Sequence, residues 1–118
     1  MAAEPKKVPA VFYRTSMGTE PVRDWIKGLS ATDRKIIGED IATVERGWPI
    51  GMPVCRPLSK GLWEVRSSIT GGIGRILFCV FEDQMYLLNA FVKKTQKTPQ
   101  AEIDLARKRK REIGNEQA

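Results

Sequence analysis

The sequence predicts an α+β fold: a twisted, mainly antiparallel sheet with a helical hairpin on one face and a further helix at the C-terminus. Three observations lead there. Apolar residues recur at helical spacing in two adjacent segments of the first half and again at the end. β-Branched and aromatic runs with period-two alternation fill most of the second half, separated by short turns. The 118 residues suit one hydrophobic core that needs neither metal nor disulfide.

The elements follow in the order β-α-α-β-β-β-α, within a single domain over residues 1–118. Residues 1–7 read as a flexible, lysine-bearing lead-in, and Val8 to Thr15, rich in β-branched and aromatic residues, as the first strand. Gly18-Thr19-Glu20-Pro21 is a turn opening a helix, because proline is tolerated in the first helical turn. Val22, Trp25, Ile26 and Leu29 form its apolar stripe. Ser30, with Asp33 three residues on, starts a second helix whose stripe is Ile36, Ile37, Ile41 and Val44. Residues 47–57 hold three prolines and two glycines and read as a loop.

Three strands come next, over Leu62–Ile69, Arg75–Phe81 and Met85–Val92. The turns around Thr70-Gly71-Gly72 and Glu82-Asp83-Gln84 suit consecutive hairpins. Thr98 reads as the cap of a last helix, with Pro99 at its first position, running to about Ile113 before a flexible tail over 114–118. Alternation puts Trp63, Val65 and Ile69 on one sheet face and Glu64, Arg66 and Ser68 on the other. In the next strand Ile76, Phe78 and Val80 oppose Arg75, Leu77, Cys79 and Phe81, so one face carries both arginines.

Composition narrows the function classes. No segment approaches the roughly 20 apolar residues of a membrane span, and the N-terminal stretch lacks a signal-peptide h-region, so a cytoplasmic location is expected. Cys55 and Cys79 read as reduced structural thiols. The chain has no histidine, which removes Ser-His-Asp and Cys-His catalysis and histidine-held metals. No Walker A sequence occurs, and Gly71-Gly72-Ile73-Gly74 leads into a strand rather than a helix. The carboxylates are scattered; Glu39/Asp40 and Glu82/Asp83 read as a solvated helix face and a turn. No cofactor or metal is expected.

What remains is basic chemistry. The net charge is +6, and residues 93–118 carry eight basic side chains against four acidic ones. Such clustering favours a polyanionic partner. Arg66, Arg75, Lys93 and Lys94 would meet on one sheet face. Arginine holds phosphate bidentately and stays charged, which suits stabilisation of a phosphorane. Lysine can move a proton only if neighbouring cations lower its pKa toward neutrality. Cleaving RNA by 2′-hydroxyl attack needs both services. Lys60, Lys97 and the run Arg107, Lys108, Arg109, Lys110 and Arg111 supply further positive charge and, with Phe91, are the candidate RNA-binding residues.

These residues carry a resemblance. Leu58 to Arg66 (L-x-x-G-L-W-E-V-R), Gly72 to Phe78 (G-x-x-R-I-L-F) and Ala90 to Pro99 (A-F-V-K-K-T-Q-K-T-P) resemble the RelE/ParE toxin superfamily. More narrowly, they are similar to its phage-derived, HigB-type branch. The resemblance spans nearly the whole chain and implies the RelE-like fold, in the element order above. It implies a type II toxin–antitoxin toxin: a ribosome-dependent mRNA endoribonuclease, metal-independent, that arrests translation. Expected partners are the ribosome with its mRNA and an adjacently encoded, helix-turn-helix (HigA-like) antitoxin, through which alone operator DNA is met.

Carried over by position, Arg75 matches the strand arginine on the scissile phosphate, and Arg66 the neighbouring basic residue. Lys93 and Lys94 match the basic pair closing the last strand, and Phe91 a positioning aromatic. Glu64 stands where RelE proper has a catalytic lysine, and the last helix lacks RelE's functional tyrosine. General acid and base are therefore open: Lys93 or Lys94 first, Lys60 in reserve, Glu64 as an alternative base. The competing functional readings are a ParE-like inhibitor of DNA gyrase and a non-catalytic phage-derived binding module on the same fold.

Overall fold

A computed structural model describes residues 5–51, 53–93 and 97–117. It is a mixed α+β structure with the element order β1 (Ala10–Phe12), α1 (Pro21–Lys27), α2 (Ala31–Gly47), β2 (Cys55–Ser59), β3 (Leu62–Ile69), β4 (Gly72–Phe81), β5 (Gln84–Lys93) and α3 (Gln100–Gln117). The five strands form one sheet in the order β1-β5-β4-β3-β2. All neighbours are antiparallel except β1, which runs parallel to β5.

The sheet has a strand that the sequence reading places in a loop. Residues 47–57 are not irregular to their end: Cys55–Ser59 form the edge strand β2, paired with β3 alone. Proline lacks a donor for the ladder but is tolerated on an edge, so Pro57 does not forbid this strand. The hairpin closes at Lys60 and Gly61, whose φ values of 46° and 80° are both left-handed, as a primed two-residue turn requires. Glu82 and Asp83, at φ 49° and 61°, make the same kind of turn between β4 and β5.

One side of the sheet packs on α1 and α2. Val22, Ile37, Ile41 and Val44 meet Cys55, Val65, Ile76, Phe78, Met85 and Leu87 in the larger core. A Cβ on Gly74 would lie 2.9 Å from Ile69 Cδ1 and 3.2 Å from Ile37 Cδ1, so the bare backbone there lets α2 close over β4. Three acids fasten α2. Ser30 Oγ accepts from the Asp33 N–H at 3.2 Å, which makes the expected N-cap. Asp33 in turn accepts from Thr70, and Asp40 from the Ser67 hydroxyl at 2.6 Å, so Asp40 grips the sheet instead of facing solvent only. Buried Glu45 accepts the Ala10 N–H at 2.7 Å and pairs with Lys6 at 3.2 Å, and its carbonyl takes the N–H groups of Lys7 and Val8. The last part of the lead-in is thus tied down.

The other side is covered by α3. Leu62, Leu77, Cys79 and Leu88 pack with Ala106, Ile113 and Tyr13 in a second core. A β-bulge shifts the β4–β5 register between Leu77↔Asn89 and Phe78↔Leu87, leaving Leu88 as the extra residue. Leu88 and Asn89 therefore both turn toward α3: Leu88 joins the second core, and Asn89 donates to Glu102 Oε1 at 2.8 Å. α3 continues to Gln117, beyond the end predicted near Ile113. Among the described residues, no helix is long and apolar enough to cross a membrane.

Candidate functional site

Register brings the two arginines together. Arg66 on β3 pairs directly with Arg75 on β4, and Arg75 pairs with Phe91 on β5. Lys93, two residues beyond Phe91 and on its face, lies opposite Ile73 at the end of the β4–β5 ladder and is half-buried. Lys94 lies outside the described residues. Lys60 is elsewhere, in the turn at the opposite end of β3.

The arginine face is not an open surface. Arg75 is 0% exposed, as is Glu64, and Thr98, just before α3, contacts both. Glu64 Oε1 is 3.6 Å from Arg75 Nη1 and 3.6 Å from Arg66 Nε, so one carboxylate faces two guanidinium groups. Thr98 completes the cluster: its hydroxyl donates to Glu64 Oε2 and accepts from Arg75 Nη1 at 3.3 Å. The sequence reading makes Thr98 a helix cap. Its hydroxyl is instead engaged with the sheet, while the N–H groups of Glu102 and Ile103 go to the Pro99 carbonyl.

Burial pulls the Arg75 guanidinium below the ordinary arginine value; the Glu64 carboxylate opposes that shift, and the Arg66 and Arg56 cations add to it. Among the described residues, the Arg56, Arg66 and Arg75 guanidinium groups thus all act on one another around the Glu64 carboxylate. Arg56, from β2, pairs with Glu64 across the β2–β3 ladder and so belongs to the same face. Arg66 keeps a 10% exposed side chain and forms the rim. A cavity of about 220 Å³ is lined by Arg56 and Thr98 of this cluster together with Ser59, Lys97 and Gln100 among others.

The basic run of α3 divides. Arg109 turns inward: its Nη1 donates to the Leu88 carbonyl at 2.7 Å, and its guanidinium lies 5.0 Å from the Tyr13 ring centre. Arg107, Lys110 and Arg111 line a second cavity of about 250 Å³ with Lys60. Lys108 is exposed; Lys97, also exposed, borders the first cavity.

The arrangement can hold an anion at its rim and keeps a guanidinium in reserve beneath. Sequence reasoning missed two members, Arg56 because it falls in a predicted loop and Thr98 because it reads as a cap. Glu64 was visible only as an alternative base. An acid two residues from an arginine, on a face that also holds a second arginine, signals an ion pair but not its burial.

The model of the phage-derived Gp49-like protein family (DUF891) matches residues 24–111, from α1 to the last turns of α3. The match covers every element of the arginine cluster. No curated protein matches the chain.

Proposed function

The chain belongs to the phage-derived Gp49-like family, which is associated with RelE-like toxins of toxin–antitoxin systems, and on that premise we propose that it is a HigB-type toxin that cuts translated mRNA on the ribosome. The observation that carries this reading is the direct pairing of Arg66 with Arg75, with Phe91 next in the row and Lys93 on the same face. Attack of a 2′-hydroxyl needs a fixed positive charge at the phosphorane and groups that move protons. In this reading Arg66, at the rim, takes the phosphate first. Arg75 reaches it when the Thr98 hydroxyl gives way, and Lys93 with Lys94 moves the protons. The antitoxin, a helix-turn-helix protein encoded beside it, holds the toxin inactive by covering this basic end.

A second reading has its own observation. Arg75 is wholly buried and ion-paired with Glu64, which suits a structural pin as well as a reserve of charge. A non-catalytic inhibitor of DNA gyrase on the same fold would need no more than that.

The test is to map mRNA 5′ ends in cells after brief induction of the wild type, Arg66→Ala and Lys93→Ala. Lys93 lies at the strand end and its variant should fold normally; Arg66 faces buried Glu64, so circular dichroism and urea midpoints of the Arg66→Ala protein first establish that it is folded. New cuts confined to translated regions, and absent in both variants, support the nuclease. Growth arrest with intact mRNA moves the assignment to gyrase, and absence of arrest to a binding module.

A further inference from the structure

We infer that the trough between the edge strand β2 and α3 is a track for the phosphate backbone of a single-stranded nucleic acid, running from Lys97 to Arg111. The inference rests on the reading above, for which it names the path of the substrate strand.

Two cavities lie along this seam. The first, about 220 Å³, has Arg56, Ser59, Lys97 and Gln100 in its wall, with Leu58 and Ile103 as apolar surface. The second, about 250 Å³, is lined by Lys60, Arg107, Lys110 and Arg111. They adjoin at one contact, since Arg107, from the second, donates to the Ser59 hydroxyl of the first. Lys110 is laid over the β2–β3 turn, where its Cε would be 3.2 Å from a Cβ on Gly61.

Six cations thus face one trough. The chain has fourteen acidic residues, yet no described carboxylate lines either cavity. Glu64 lies under the Thr98 wall of the first cavity, where Arg66 and Arg75 already face it. A trough that concentrates one sign of charge attracts a polyanion and focuses its field there. Length decides how much of it binds. The strand from Arg56 to Lys60 rises about 13 Å, and the helix from Gln100 to Arg111 about 17 Å. Either span exceeds a single phosphate and fits several in succession. With a strand as one wall and a helix as the other, the track is assigned to one sugar-phosphate strand, and a duplex is the alternative that competition by an RNA hairpin separates. Thr98 in the wall of its first cavity bonds Glu64 and Arg75, and Arg56 pairs with Glu64 across the ladder, so a strand lying there ends against the arginine cluster.

The test is fluorescence anisotropy of the full chain with a fluorescein-labelled oligouridylate over a series of salt concentrations. Each cation removed from a single-strand contact lowers the slope of log K against log salt by about 0.7. That fall is expected for Arg56→Gln, Lys97→Gln and Arg111→Gln, and no change for Arg34→Gln and Lys35→Gln on the exposed side of α2. Lys97 and Arg111 are exposed, so their variants keep the test free of any folding effect at half-buried Arg56. Equal falls in the α2 variants would overturn the track, as would competition by polyglutamate or by an RNA hairpin as strong as that of unlabelled oligouridylate. Failure here is distinct from failure of the nuclease. Binding along the trough without mRNA cuts defeats the nuclease and leaves the track, whereas cuts with unchanged slopes do the reverse.

Discussion

Arg75 and Glu64 are both wholly buried, and Arg75 Nη1 stands 3.6 Å from Glu64 Oε1 against Thr98, which leads into α3. A buried pair is costly to break because the surviving charge has no water to return to. Glu64→Ala is therefore expected to lower the unfolding free energy in urea by about 3–5 kcal/mol. The double variant Glu64→Leu/Arg75→Met, which removes the fully buried charge on both sides and leaves only the rim residue Arg66 without its Glu64 contact, should recover part of that loss. A single variant as stable as the wild type would mean that the pair does not hold the fold.

Thr98 is what links this pair to the helix. Its hydroxyl is shared between Glu64 and Arg75, so Thr98→Val leaves two buried polar groups each one partner short. The expected cost is about 1–3 kcal/mol, with faster amide hydrogen exchange confined to the first turns of α3. Thr98→Ser keeps the hydroxyl and should restore both. Uniformly faster exchange across the sheet would argue that Thr98 acts through general packing instead.

Arg109 and Lys108 are adjacent in the sequence but differ in role. Arg109 bonds the Leu88 carbonyl and lies over Tyr13, whose own hydroxyl donates to Glu112. Arg109→Ala should destabilise the protein by about 2–3 kcal/mol, from a charged hydrogen bond and a cation–π contact. Lys108→Ala, at an exposed position, should stay within about 0.5 kcal/mol of the wild type. Thermal melts of the two variants would separate them, and equal melting temperatures would contradict the assignment of Arg109 to the core.

Most of the fold was legible because the pattern is consistent at each step. The bounds of β3 follow from its alternation, and the start of α2 from Ser30 and Asp33. β2 was not legible, because Pro57 and the flanking prolines outweigh a five-residue pattern. The weight falls the other way in space, where β3 offers a free edge. The candidate site was half legible. Alternation places Arg66 and Arg75 on one face, and register then makes them neighbours. What alternation does not encode is that α3 closes over that face, since its contacts depend on a crossing direction that no local signal sets. Hence Arg75 reads as exposed in the sequence and is buried in the fold.

The cysteines give a prediction with a definite sign. Cys55 faces the α1–α2 core and Cys79 the α3 core, on opposite sides of the sheet. Burial pushes both thiols up to about 11, with the Glu64 charge adding to the shift at Cys55 and the Lys110 charge opposing it at Cys79. A thiol raised in the folded state favours folding at pH values below its unfolded value of 9.0, where both states are protonated. As pH climbs from there toward 11 the unfolded thiolate forms first, and that contribution is lost. Urea midpoints should therefore fall between pH 9 and pH 11, less steeply in a Cys55→Ala/Cys79→Ala variant. Reaction with a disulfide reagent at neutral pH should be slow in the native protein and fast in urea. Prompt native labelling of either thiol would place it at the surface, contrary to its position in the core.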